Sequence, residues 1–119
     1  FVFLDKAVQR GERYDLVVCD PPTFATTKRT RWTSGKQWIE LAAQCFAIAA
    51  PGAIVLLCTN DARLDAEVFR RHVRAGAAQA GVALTTLRAL PSPWDFPSAP
   101  GQPHPFKRLW CEVGGSVGR

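Results

Sequence analysis

The apolar run Leu16-Val17-Val18-Cys19 is cut off by Asp20-Pro21-Pro22. An apolar run without alternation predicts a strand buried on both faces, as in a parallel sheet covered by helices. Proline has no N–H to give to a ladder, so the strand must end at Pro21. Asp20 then stands at the C-terminal end of a buried strand. Ligands of open α/β sheets bind just outside such ends.

The rest of the chain repeats this alternation of strand and helix. Residues 2–9 read as the end of a short helix stopped by Gly11. After the Asp-Pro-Pro segment, residues 23–35 are polar, basic and rich in Thr, a loop long enough to suggest function. Thr33 or Ser34 is placed to cap a helix whose apolar stripe is Trp38, Leu41, Ala42, Cys45, Phe46 and Ala49, with Pro51-Gly52 as its stop. Ala53-Ile54-Val55-Leu56-Leu57-Cys58 reads as a second buried strand. Asn60 or Asp61 is a candidate cap for a third helix, with Leu64, Val68, Phe69, Val73 and Ala77 inward and Gly81 at its end. Residues 82–90 alternate loosely, as a strand does. Residues 91–105 hold six prolines and read as a loop. Phe106 to Val113 reads as the last strand, and residues 114–119 as a Gly-rich tail. This order predicts an α/β fold with a mostly parallel sheet. The two final strands, joined by a loop alone, predict an antiparallel edge strand.

Composition narrows the class. Hydrophobic residues make up 47% and charged residues 21% of the 119 positions, an ordinary balance for one globular core. No apolar run approaches the roughly 20 residues needed to span a bilayer, so no membrane role is expected. Cysteines at 19, 45, 58 and 111 lack C-x-x-C spacing, and three lie inside apolar runs. Buried free thiols in a reducing cytoplasm are expected, with no metal site. The net charge of +5 permits an anionic partner such as nucleic acid. Lys28, Arg29 and Arg31 cluster beside Trp32 directly after the Asp-Pro-Pro segment. The chain opens at Phe1-Val2-Phe3-Leu4 and holds no Met, which suggests part of a larger domain.

The chemistry available at residues 20–24 follows from residue type. A rigid Pro21-Pro22 turn fixes an adjacent carboxylate and carbonyl. The Asp20 carboxylate can accept a hydrogen bond from an exocyclic amine or a ring N–H. Phe24 can stack on a flat base. Together they would form a slot for a planar, nitrogen-bearing substrate. Asp-Pro also builds plain turns. The apolar run before it and the basic, aromatic loop after it favour the site.

Tyr14-Asp15-Leu16-Val17-Val18-Cys19-Asp20-Pro21-Pro22-Thr23-Phe24 resembles motif IV of class I S-adenosylmethionine-dependent methyltransferases. It is most similar to the bacterial 23S rRNA enzymes that make 5-methylcytosine or N7-methylguanine. Ala25-Thr26-Thr27-Lys28-Arg29 is similar to the segment after this motif in the guanine enzymes. Pro51-Gly52-Ala53-Ile54-Val55-Leu56 and His104-Pro105-Phe106-Lys107-Arg108-Leu109-Trp110-Cys111 resemble a turn-and-strand and a closing strand of the same families.

The resemblance implies a Rossmann-like fold, with residues 1–113 as the C-terminal part of a catalytic domain. It implies S-adenosyl-L-methionine as cofactor and rRNA as partner. Catalytic roles fall on Asp20, Pro21, Pro22 and Phe24. Substrate contacts fall on Thr23, Lys28, Arg29, Arg31 and Asn60, and cofactor contacts on Asp20 and Pro21. The Gly-rich loop and the acids that hold ribose and adenine come earlier in such enzymes, and no G-x-G-x-x-G occurs here. By this reading the N-terminal cofactor-binding strands lie upstream, and the isolated 119 residues should be inactive.

Methylation at cytosine C5 needs a thiolate that adds to C6, whereas a nitrogen already has a lone pair and needs only positioning and proton acceptance. Counting from Pro51-Gly52, the nucleophile position of the cytosine enzymes is held by Thr59, with Cys58 one residue early. A one-residue shift turns a strand side chain to the other face. Cys58 is therefore either a nucleophile or a small core residue, with the core reading and N-methylation favoured. Asn60 offers an amide to a base edge or a helix cap. The rival readings are a DNA or protein N-methyltransferase, sharing related Asp/Asn-Pro-Pro motifs, and a non-catalytic nucleic-acid-binding remnant.

Overall fold

The computed structural model of the chain describes residues 2–21, 34–61, 64–90 and 107–114. The elements run α1 (Val2–Arg10), β1 (Tyr14–Cys19), α2 (Ser34–Ala47), β2 (Ala49–Thr59), α3 (Ala66–Gln79), β3 (Leu84–Ala89) and β4 (Lys107–Val113). Every expected element is present. Gly11 and Gly81 close α1 and α3 with φ of +71° and +73°, values that favour a residue without a Cβ.

The strands form one sheet in the order β1-β2-β4-β3. β1 and β2 are parallel, and β4 is antiparallel to both β2 and β3. The mixed sheet was expected, but its antiparallel member sits inside rather than at an edge. The 17 residues between β3 and β4 carry the chain back so that β4 enters between β2 and β3, and β3 becomes the outer strand.

Two local expectations need correction. Helix α2 ends at Ala47 rather than at Pro51-Gly52, and Ala49 already belongs to β2. Pairing with β1 wins over the helical stripe. Tyr14 pairs with Ala49 and donates to the Ile48 carbonyl at 2.7 Å, while the next pair is Leu16 with Ile54. The surplus residues of β2 bulge outward, and this is where Pro51 and Gly52 (φ +84°) lie exposed. The cap of α3 is Asp65, not Asn60 or Asp61. Its carboxylate accepts from the N–H groups of Glu67 (3.0 Å) and Val68 (3.3 Å).

The core lies on one side of the sheet. Trp38, Leu41, Cys45 and Phe46 of α2 and Phe69, Val73 and Ala77 of α3 pack on Val17, Val55, Leu57, Leu109, Cys111 and Val113. Trp38 and Phe69 meet edge to face, centroids 4.9 Å apart. Among the described residues no helix covers the other side. Val18, Leu56, Trp110 and Arg88 form one cross-strand row there, with the Arg88 guanidinium 5.7 Å from the Trp110 ring centroid. Leu16 and Val18 are 60% and 59% exposed, so among the described residues β1 is covered on one face.

Gly76 sets the spacing of the two large helices. A Cβ on it would lie 2.6 Å from the Ala42 Cβ, 2.8 Å from the Ile39 carbonyl oxygen and 2.9 Å from the Ala43 nitrogen. Two of these neighbours are backbone and cannot swing away. Gly76→Ala should therefore destabilise the protein by about 1–3 kcal/mol, although alanine is the better helix former. Urea denaturation of the full-length protein checks this, and an unchanged or raised midpoint would refute the close approach.

Candidate active site

Three strand termini converge at one end of the sheet. β1 and β2 are parallel and finish there, whereas antiparallel β4 begins there. Cys19 pairs with Leu57, so the chain places Asp20 level with Cys58. Cys58 pairs in turn with Arg108, and Thr59 with Lys107. One row thus runs Asp20, Cys58, Arg108. The next holds Thr59 and Lys107 and points to the opposite face.

Asp20 is exposed and Pro21 half-buried at the strand end. Asn60 is exposed just beyond β2, and the capping role at α3 is filled by Asp65. The turn around it is held by several hydrogen bonds. The Asp61 N–H donates to Thr59 Oγ1 at 3.2 Å, and the Asp61 carbonyl accepts from the Leu64 N–H at 3.2 Å and from Lys107 Nζ at 3.1 Å. Thr59 and Asp61 are buried. Pro22, Thr23, Phe24, Lys28, Arg29 and Arg31 lie outside the described residues.

Lys107, Arg108 and Asp61 had no place in the sequence reading of the site, and Thr59 entered it only as the residue at the nucleophile position of the cytosine enzymes. Lys107 and Arg108 follow Pro103 and Pro105 within five residues and looked like the polar start of a strand. Had the last strand been recognised as antiparallel to β2, its first residues would have fallen at the Asp20 end.

The thiols are electrostatically unlike. Cys58 is 4% exposed, and burial together with the Asp20 charge pushes its pKa up to about 11, against an opposing pull from Arg108. Cys111 is pushed up to about 12 by burial. Cys19 and Cys45 share a hydrogen bond between their thiols. That bond lowers the Cys19 pKa, and it raises that of fully buried Cys45 together with desolvation. Both line a groove of about 300 Å³ between β1 and α2, with Tyr14, Leu16, Val17, Val18 and Ile48. All four cysteines are free, and three are buried, as their apolar settings suggested.

No family model matches the chain. Among curated proteins it is 26% identical over 96 residues to a candidate ribosomal RNA large subunit methyltransferase of Bacillus subtilis (strain 168), covering 81% of this chain and 24% of that protein. It is 26% identical over 106 residues to ribosomal RNA large subunit methyltransferase I of Aeromonas salmonicida (strain A449), covering 89% and 27%. The chain thus spans about a quarter of the length of these relatives. Among solved structures it superposes on SMU.776, a candidate methyltransferase in complex with SAH, with a TM-score of 0.71 at 22% identity, over 95% of this chain and 30% of that one. The fold is that of class I methyltransferases. In sequence, the chain resembles those that act on large-subunit rRNA. Among the described residues no helix is long and apolar enough to cross a membrane.

The thiolate is the reactive form of cysteine, so alkylation should follow the order of these shifts. At pH 8, iodoacetamide should label Cys19 first, Cys58 and Cys111 slowly and Cys45 last. Labelling of Cys58 should accelerate as pH rises towards 11. Peptide mass spectrometry over a time course reads the order, and Cys58 reacting ahead of Cys19 at pH 8 contradicts it.

Proposed function

We propose that the protein containing this chain transfers a methyl group from S-adenosyl-L-methionine to a base nitrogen in large-subunit rRNA. The observation that carries the reading is Asp20, an exposed carboxylate at the open end of an edge strand, level with a buried thiol whose pKa is raised to about 11. The named activity of the relatives supports rRNA as substrate class.

The residues present fit the methyl-bearing end of that cofactor. Asp20 and the Pro21 carbonyl offer two acceptors at a strand terminus whose outer edge no described strand covers. The cofactor supplies an activated methyl group there. Asp20 accepts a hydrogen bond from the base and so fixes the plane of the target nitrogen. Where that nitrogen carries a proton, the same carboxylate takes it as the new bond forms. The Pro21 and Pro22 backbone shapes the slot, Phe24 stacks on the base, and Thr23 and Asn60 contact its edge. Lys28, Arg29 and Arg31 hold phosphates. The remaining cofactor contacts belong to segments upstream, in a cytoplasmic protein.

A C5 mechanism stays as the second reading because Cys58 shares its row with Asp20, closer than the count from Pro51-Gly52 implied. Against it, a thiol with a pKa near 11 is protonated at neutral pH, and burial, helped by the Asp20 charge, holds it so.

Asp20→Ala in the full-length protein should cut methyl transfer by at least roughly 100-fold while leaving cofactor affinity nearly unchanged. Tritiated methyl incorporation into rRNA measures the first and calorimetry the second; wild-type turnover removes Asp20 from the site. Cys58→Ser should keep most activity, and RNA substituted with 5-fluorocytosine should form no trapped adduct. A denaturation-resistant protein–RNA band that vanishes in Cys58→Ser would move the protein to the cytosine branch.

A further inference from the structure

Lys107 opens β4 opposite Thr59, the last residue of β2. Its ammonium reaches beyond that pair and donates to the Asp61 carbonyl at 3.1 Å. The same carbonyl closes the following turn by accepting from the Leu64 N–H. On its other side, the Asp61 N–H is held by Thr59 Oγ1. Asp61 is therefore tied to β2, to its own turn and to β4. Asn60 lies between Thr59 and Asp61, so both of its chain neighbours are fixed while its own side chain stays exposed.

A lysine that serves only solubility keeps its head in water. Lys107 does not. Burial lowers its pKa, with the Asp61 and Asp65 carboxylates pulling the other way. Giving up hydration is costly unless the group is bonded, and here its bond goes to the backbone of the turn after β2, at the Asp20 end of the sheet.

We propose that Lys107 is a positioning residue of the candidate site, holding the Asp61 carbonyl and thereby fixing Asn60 at the edge that carries Asp20. The activity arm of this inference rests on the methyl-transfer reading, and its structural arm does not. Lys107 touches neither base nor cofactor. It acts through the turn, in the way that a group supporting a reactive side chain keeps that side chain within its productive geometry.

The test uses the full-length protein with Lys107→Met, Lys107→Arg, Asn60→Ala and the Lys107→Met/Asn60→Ala double variant. Lys107→Met should lower kcat for rRNA methylation roughly 10- to 100-fold with little change in S-adenosylmethionine affinity. Amide exchange at Asp61 and Leu64 should accelerate. Lys107→Arg, which keeps charge and donors, should restore most of the rate. Asn60→Ala should lose about as much as Lys107→Met, and the double variant little more, because both act on one element. Wild-type kcat in Lys107→Met, or losses that multiply in the double variant, overturns the proposal. Should Lys107→Met fail to fold, Lys107→Gln carries the same expectations at smaller size. Should the wild-type protein transfer no methyl group at all, the methyl-transfer reading fails and exchange alone decides. Faster exchange in Lys107→Met then upholds the hold on the turn, and unchanged exchange ends it.

Discussion

β2 bonds to a parallel strand on one side and an antiparallel strand on the other, and the candidate site depends on this mixed pairing. Parallel pairing with β1 puts the ends of both strands at one edge of the sheet. Antiparallel pairing with β4 brings a strand beginning to the same edge. A carboxylate at a strand end thus meets groups almost 90 positions away in the chain, with Arg108 in the Asp20 row and Lys107 in the next. An all-parallel sheet would have sent those cations to the far edge. The helices contribute by fixing the strands from one side only. Gly76 lets α2 and α3 approach closely enough for Trp38 and Phe69 to interlock over β2 and β4.

The outline of the fold was legible because its signals are local. Leu16 to Cys19 and Ala53 to Cys58 are too short and too apolar for anything but strands, and the stripe from Trp38 to Phe46 has helical spacing. What could not be read depended on partners distant in sequence. Ala49 fits the helical stripe of α2 as well as it fits β2. Only the hydrogen bond from Tyr14 to Ile48 and the pairing of Tyr14 with Ala49 decide for the strand. The entry of β4 between β2 and β3 has no local mark either, since an edge strand and an inner strand of seven residues look alike when one face stays half open. Asp65 was the exception, a cap whose signature of Asp followed by Ala66-Glu67 was present but lay behind two equally suitable residues.

For the site, residue type singled out Asp20 and its neighbours as candidates but could not give their surroundings. Thr59 and Cys58 show why. Counting along the chain assigned the nucleophile position of the cytosine enzymes to Thr59, yet the register turns Thr59 towards the helices and puts Cys58 in the row of Asp20. Position alone would favour the thiol. Its surroundings weigh the other way: burial holds the thiol protonated, and the carboxylate that makes the place chemically interesting adds to that effect. Proximity to Asp20 and activation by Asp20 are opposed here. A nitrogen target avoids the conflict, since it asks of the carboxylate only what an exposed carboxylate does readily.

β1 is also the strand on which local rules of folding are least satisfied. Leu16 and Val18 leave more than half their surface in water, on a face where no described helix packs, and no described strand covers the outer edge. At roughly 25 cal/mol per Å² of apolar surface, leaving two such side chains uncovered forgoes stabilisation that burial elsewhere in the core supplies. The chain spans about a quarter of the length of its curated relatives. An uncovered apolar face and an unpaired strand edge are surfaces that further strands or helices cover in a larger sheet. The exposure of Leu16 and Val18 is therefore a property of these residues taken alone, whereas the place of Asp20 at the end of β1 is set by pairing with β2 within them.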